Sequence, residues 1–448
     1  MTTGAGSAGR GPGNGNGGNG NGNGNGNGGG AGPALRPLAR AVHDAAVRVA
    51  RTSSTLRALG TDRIARAIAA AAATICDADS ALGSEARETL GASTGLSEPM
   101  IDWALATAVA PATADALAAL ARRELTPPRP DAVASPARLV VVVLAGNVFT
   151  AAFRGVAFPL LAGAPTIAKA SSTDDAFPRL FARALQDADA DVGASLEILT
   201  FAGGDEDLEG SLFALADTVA VYGSDTTVAA VRARVPGTTR VVAHGHGLGA
   251  IWVPRDALAD AASLHAFAAH AALDVAAYDQ RGCLSPHAIF VEPGGAFDAA
   301  TVARAVAEHG LAPLAARLPR GSLPRDVAAA QLMWRGVAAA RGDLVDGGAW
   351  AVSFEGDSTL RVSPGWRNIA VRECASFATL AERLLPLGVH LKALGIAGAA
   401  PAVDHVRRNL PAPLCPRVCP AGQMQTPPLD SLADGAPPLT GVVTWLDT

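Results

Sequence analysis

Apolar residues fall three and four positions apart along LARAVHDAAVRVARTSSTLRALG and DRIARAIAAAAATICDADSALGSEARETLGASTG, the spacing that lines one face of a helix. The chain from Pro33 to about Arg123 is therefore predicted to be helical, and a proline-rich hinge, TPPRPDAVASPAR, closes that stretch. There the period changes. RLVVVVLAGN is a continuous β-branched run, the mark of a strand buried on both faces. APTIAKAS, SLEILTFAGG, ALADTVAVYGS, TTRVVAHGHG and LGAIWV read as further strands, with helical segments such as DDAFPRLFARALQDA and DTTVAAVRARV between several of them. Strands alternating with helices predict a parallel α/β sheet. After Asp256 a helical run, ALADAASLHAFAAHAALDVAAYDQ, leads into DQRGCLSPH and the strand-like HAIFVEP. A second α/β unit continues to about residue 400, and a Pro-rich segment follows that ends on a short strand, VVTWLD.

Composition removes several classes. Residues 1–33 are almost entirely Gly, Asn and Ala, so they have little to bury against the entropy of ordering and are expected to form a flexible tail. The rest is apolar enough for a large core, at 49% hydrophobic overall. Its most apolar region is broken by Arg154 into uncharged runs of 15 and 14 residues (139–153 and 155–168). Both are short of the ~18–20 residues of a membrane span. No span is expected, and no secretory signal, since no apolar run follows a basic start. A net charge of −5 without a basic block gives no reason to expect nucleic acid. Five scattered cysteines argue against a disulfide framework and for a reducing, cytoplasmic setting. Cys415 and Cys419, with His405 nearby, lack a second ligand pair and are interrupted by Pro416 and Pro420, so no metal site is expected.

Candidate chemistry gathers at the carboxyl ends of the first group of strands, where parallel α/β sheets bind ligands. Those ends carry Gly146-Asn147, Lys169 to Ser172, Gly203-Gly204, Gly223-Ser224 and His244-Gly245-His246. The Asn147 amide could stabilise an oxyanion or cap a helix. Lys169 is the only lysine before Lys392, and in so lysine-poor a chain it suggests a contact to a phosphate or ribose. Gly223-Ser224 opens a helix, a natural phosphate contact. Gly245 to Ala250 matches G-x-G-x-x-G/A, but the strand-like IWVP follows where that fingerprint needs a helix, so the match is rejected. His246, or His244, is either a proton carrier or a histidine satisfied by backbone. Cys283 is either a packed thiol or a nucleophile; Gly282, the Ser285-Pro286 turn and the flanking Asp279 and Arg281 favour access.

Taken together, Asn147, Lys169, Gly223-Ser224, the Gly-rich histidine segment and Cys283 resemble, in order and separation, the aldehyde dehydrogenase superfamily. DQRGCLSPH, RNIAVR…FATLAERLLPLGVHLKALGIAG and the tail PRVCPAGQMQTPPLDSLADGAP resemble the fatty acyl-CoA reductases of bacterial bioluminescence type. The resemblance covers about residue 135 to the end. It implies two Rossmann-like parallel-sheet domains with the active site in the cleft between them. The divisions expected are a tail (1–33), N-terminal helices with a dinucleotide-binding domain (34–255), a catalytic domain (256–400) and a C-terminal segment (401–448). It further implies that Cys283 attacks an acyl thioester, Asn147 binds the oxyanion and His246 moves a proton. Lys169, Ser171, Ser172, Gly223 and Ser224 would hold NADPH, or NADH, whose hydride releases an aldehyde.

The implied substrate is an acyl-CoA or acyl carrier protein, with an acyltransferase or synthetase as partner and a homo-oligomeric assembly. A histidine stands where hydrolytic relatives carry the glutamate that activates water. Their acidic ribose clamp is missing, as is a tryptophan expected in SLADGAP. The competing readings are an aldehyde dehydrogenase running oxidatively with NAD(P), and a silent acyl-binding or scaffold subunit.

Overall fold

The computed structural model describes residues 36–172 and 174–447; the tail expected at residues 1–33 lies outside them. Residues from Pro37 to Glu124 are helical with short breaks, as their periodicity predicts. Strand β1 (Ala132–Pro136) follows. The next five strands, β2 (Val140–Val143), β3 (Thr166–Ala170), β4 (Leu196–Thr200), β5 (Thr218–Tyr222) and β6 (Arg240–His244), form one parallel sheet in the order β4-β3-β2-β5-β6. The apolar runs of β2 and β3 are buried at every position because helices cover both faces. Phe149–Leu161, Ala176–Ala188 and the N-terminal helices beyond Arg51 pack on one face. Pro37–Ala50 and Glu206–Phe213 cover the other. The chain moves outward from β2 in both directions, so the order reverses between β2 and β5, where such sheets open a crevice.

The second sheet begins earlier than residue 256. Strand β7 (Leu248–Val253) belongs to it, so the chain crosses over at residues 245–247, directly after β6. The division expected at residue 255 falls two residues after this strand. The other strands are β8 (Pro286–Val291), β9 (Asp343–Asp346), β10 (Ala351–Glu355), β11 (Asn368–Glu373), β12 (Leu391–Ile396) and β13 (Arg417–Pro420), in the order β13-β12-β7-β8-β11-β10-β9. All neighbours are parallel except the edge strand β9. Helix Ala261–Ala276 packs on one face, and Phe377–Leu384 with Ala400–Asn409 on the other. The last strand, β14 (Val443–Asp447), returns to pair antiparallel with β1. Among the described residues no single helix is long and apolar enough to cross a membrane.

Candidate active site

The carboxyl ends of β2, β5 and β6 face the amino ends of β7 and β8, and Cys283 lies on the loop just before β8. That loop is held by an unusual backbone. Tyr278, Asp279 and Gln280 have φ of 51°, 53° and 61°, and Trp366 and Arg367 have 54° and 66°. Each left-handed non-glycine residue costs about 1–2 kcal/mol, and such strain persists only where the surroundings enforce it. Here they do. The Tyr278 hydroxyl meets Thr150 Oγ1 at 2.9 Å. Asp279 accepts from the Gly321 amide at 3.0 Å and pairs with Arg367 at 2.7 Å, both side chains being sealed from solvent. Gln280 Nε2 donates to the carbonyls of Pro286 (2.8 Å) and Asn368 (3.0 Å), and its Oε1 accepts from the Asn368 amide at 2.9 Å. The strained segments thus brace each other.

The first sheet reaches the same loop. Asn147, just past β2, donates through Nδ2 to the Arg281 carbonyl at 3.1 Å. A side chain has two N–H groups there, so one is left for a ligand. A Cβ on Gly282 would touch Gln425 Oε1 (3.4 Å), Ser285 Oγ (3.5 Å) and Val148 Cγ2 (3.6 Å), so the turn is walled on three sides. Cys283 nevertheless reaches solvent. The crowding around it raises its pKa, the Lys392 ammonium pulls it back, and the Asp434 carboxylate opposes that pull. The thiol is thus accessible and crowded at once. Cys76 and Cys419, by contrast, are pushed to about 11 by burial.

Beside the thiol lies a group that the sequence reading did not assemble. His244, at the end of β6, shares a 2.8 Å hydrogen bond between Nδ1 and Asp434 Oδ2, and its ring stacks on Tyr222 at 4.4 Å between centroids. Asp434 also pairs with Lys392. Burial would raise the Asp434 carboxyl, but the bonds from His244 and Lys392 outweigh it and hold it below the usual carboxylate range. Gly247 is needed here: a Cβ would strike the Lys392 stem and the His390 carbonyl. Within GHGLGA it is Gly247 that admits Lys392, and a strand rather than a helix follows. His246 is exposed; its carbonyl accepts from His390 Nδ1 at 2.9 Å, and its ring lies within electrostatic reach of His287. His244, not His246, has the carboxylate partner. A signal for Lys392 was present, since Lys169 and Lys392 are the only two lysines.

The remaining candidates line the other strand ends. Lys169 Nζ sits over the Phe201 ring, 5.2 Å from its centroid; burial lowers its pKa, and Glu209 offsets part of that. Lys169 is buried, and a Cβ on Gly203 would lie 3.8 Å from its Nζ. Glu209 accepts from the Gly204 amide at 3.0 Å and from Arg234 at 2.7 Å. Ser171 Oγ lies against Gly146, and Ser172 is exposed. The Gly223 amide donates to the His244 carbonyl at 3.2 Å, and Ser224 caps helix Asp225–Arg234 by accepting from the Thr227 amide at 3.2 Å. Among the described residues no cluster of three or more His, Cys, Asp or Glu could hold a metal.

Comparison with known proteins agrees with this geometry. Aldehyde dehydrogenase 21 from Physcomitrella patens, solved with its reaction product succinate, superposes with a TM-score of 0.69 at 13% identity, covering 91% of this chain and 90% of that one. An NAD-dependent aldehyde dehydrogenase from Sinorhizobium meliloti gives 0.65 at 15% identity over 91% and 86%. These likenesses establish an aldehyde dehydrogenase-like fold, the fold expected from the sequence. No curated protein matches the chain. The profile of the acyl-CoA reductase (LuxC) family matches residues 58–445, and the chain belongs to that family.

Proposed function

We propose that the protein reduces an acyl thioester of coenzyme A, or of an acyl carrier protein, to a free aldehyde with NADPH, through an acyl group carried on Cys283. The observation that carries this reading is the crowded, solvent-reaching thiol with Lys392 and the His244–Asp434 pair beside it and Asn147 bonded to its own loop. Asp434 is engaged by both His244 and Lys392; the ground for placing reduction ahead of hydrolysis is the resemblance, which puts a histidine where hydrolytic relatives carry the water-activating glutamate.

In the first half-reaction the Cys283 thiolate attacks the acyl carbon, and the free N–H of Asn147 donates to the oxyanion. The bond to the departing coenzyme A or carrier-protein sulfur breaks, that sulfur takes the proton that His244 removed from Cys283, and the acyl group stays on Cys283. Asp434 fixes the imidazole and steadies its charged form, as a carboxylate behind a general acid–base histidine does. When bound, a nicotinamide dinucleotide supplies the hydride that reduces this acyl group. Cys283 then departs as thiolate while the aldehyde forms. Lys169, Ser171, Ser172, Gly223 and Ser224 are suited to hold the dinucleotide.

Intact mass of the full chain after incubation with an acyl-CoA should show one acyl adduct on Cys283, discharged by NADPH. Cys283→Ala should give neither adduct nor turnover while binding NADPH nearly as well. Reduction by that variant at a near wild-type rate would refute the mechanism, and discharge to free acid would favour an oxidative enzyme.

A further inference from the structure

Helix Ala261–Ala276 leads into the nucleophile loop, and its last turn carries a carboxylate sealed from solvent, Asp274. Asp279, Glu209 and Glu355 are buried nearly as deeply, and each sits on a guanidinium: Arg367 at 2.7 Å, Arg234 at 2.7 Å and Arg372 at 3.0 Å. Asp274 has no ion-pair partner among the described residues. Its Oδ2 accepts from the Gly422 amide at 2.5 Å, and its Oδ1 from the Met424 amide at 2.9 Å. Arg417, the guanidinium whose field reaches it, is engaged by the Cys419 sulfur and the Gln423 carbonyl. Burial pushes the carboxyl up to about 7 despite the amide bonds. A carboxylate sealed without a cation is costly to keep, and what this one secures is a single turn, residues 422–424.

That turn is packed against the nucleophile loop. Gly422 has φ of 89°, and a Cβ on it would lie 2.9 Å from His270 Cβ, so glycine lets the turn approach the helix this closely. Met424 fills the space that two strands leave by carrying glycine. A Cβ on Gly249 in β7 would lie 2.5 Å from Met424 Cε, and one on Gly395 in β12 would lie 2.7 Å from its Sδ. The Gly249 amide in turn donates to the Ser285 carbonyl at 2.7 Å. Gln425 comes next. Its Oε1 lies 3.4 Å from where a Gly282 Cβ would stand, and its Nε2 is sealed without an acceptor among the described residues. Gly282 and Ser285 close the turn that presents Cys283, the Ser285 amide donating to the Gly282 carbonyl at 3.0 Å. Residues 424 and 425 thus bear on the cysteine turn at its two ends, Met424 through Gly249 and Gln425 through Gly282.

We infer that Asp274 is a positioning residue for acyl transfer: it fixes the 422–424 turn so that Gln425 holds the Cys283 turn in place beside Asn147 and His244. This rests on the proposed acyl-transfer reading. It adds to that reading a residue nine positions before the nucleophile that acts only through others. Acyl transfer needs its reacting atoms aligned, and a misplacement of about 1 Å can cost about 10²-fold. Alkylation by a small reagent needs only an accessible thiolate.

The test uses the full chain and reads Cys283 in two ways: the rate of adduct formation from an acyl-CoA, followed by intact mass, and the rate of alkylation by iodoacetamide. Asp274→Asn keeps the shape but turns one acceptor oxygen into a donor, so one of the two amides loses its partner. It should slow acylation by about 10-fold or more, with alkylation and NADPH binding near wild type. Gln425→Ala spares the clamp and should slow acylation by a similar factor. The double variant should be no slower than the slower single one, since both residues act along one path. Acylation at the wild-type rate in either single variant overturns the inference, as does a fully additive loss in the double variant. Acylation and alkylation falling in step, with a lower thermal midpoint, would make Asp274 a support of the fold alone and also overturns it. If wild-type Cys283 is alkylated but never acylated, the acyl-transfer reading itself falls and takes this inference with it, an outcome distinct from the others.

Discussion

Two ionic knots lie near Cys283 and differ in kind. Arg367–Asp279, beneath the nucleophile loop, has both side chains sealed (1% and 0% exposed). His244–Asp434–Lys392, beside it, is partly open, the three side chains being 20%, 31% and 11% exposed. The first sits among left-handed residues and has no route to a ligand, so its charges serve geometry. The second lies beside the thiol, and its carboxylate influences that thiol directly. A buried pair fixes where sulfur is; a half-open one governs when it is ionised. The two should respond differently to mutation.

Arg367→Met gives the largest expected effect. It leaves Asp279 without its counter-ion in a sealed site, which costs about 3–5 kcal/mol, and urea unfolding should show the loss as a lower midpoint. Restoring neutrality with Asp279→Asn in the same chain should recover part of it. In the fraction that still folds, the pH profile of Cys283 alkylation should match wild type. A shifted profile would merge the two knots into one.

Asp434→Asn comes next, with the readouts reversed. Loss of the oriented imidazole should reduce kcat by about 10²-fold, the range for a positioned acid–base group, while the urea midpoint moves little because the site is partly open. Asp434 raises the Cys283 pKa, so its neutralisation should move the alkylation midpoint to lower pH even as turnover falls. A structural carboxylate would lower stability and leave that midpoint in place.

These contrasts were unevenly legible in the chain. The β-branched runs of β2 and β3 and the polar residues at their ends could be read locally, because burial on two faces and a strand terminus each leave a short signature. The sheet to which LGAIWV belongs could not, since a strand carries no local record of its partner; only the collision of a Gly247 side chain with Lys392 shows why the crossing falls there. Tyr278, Asp279 and Gln280 gave no warning of left-handed backbone, being neither Gly nor Asn, and are held there by partners distant in sequence. Lys392 and Asp434 come from segments far beyond Cys283 and meet His244 only once β12 lies beside β7. Their convergence is tertiary.

Lys392→Met is the subtlest of the three and separates charge from orientation. The Lys392 ammonium favours the thiolate, so removing it should move the alkylation midpoint to higher pH, the opposite direction from Asp434→Asn. Activity at neutral pH should fall because less Cys283 is ionised, and should recover substantially as pH rises, whereas the Asp434 variant should not recover, its defect being the imidazole. Asp434 keeps His244 in this variant, so acyl transfer retains its proton donor. Stability should change by no more than about 1 kcal/mol, the worth of an accessible ion pair. Midpoints moving the same way in both variants would mean that Lys392 acts on Cys283 only by steering Asp434, and the open knot would then be a single positioning device rather than two opposed charges acting on one sulfur.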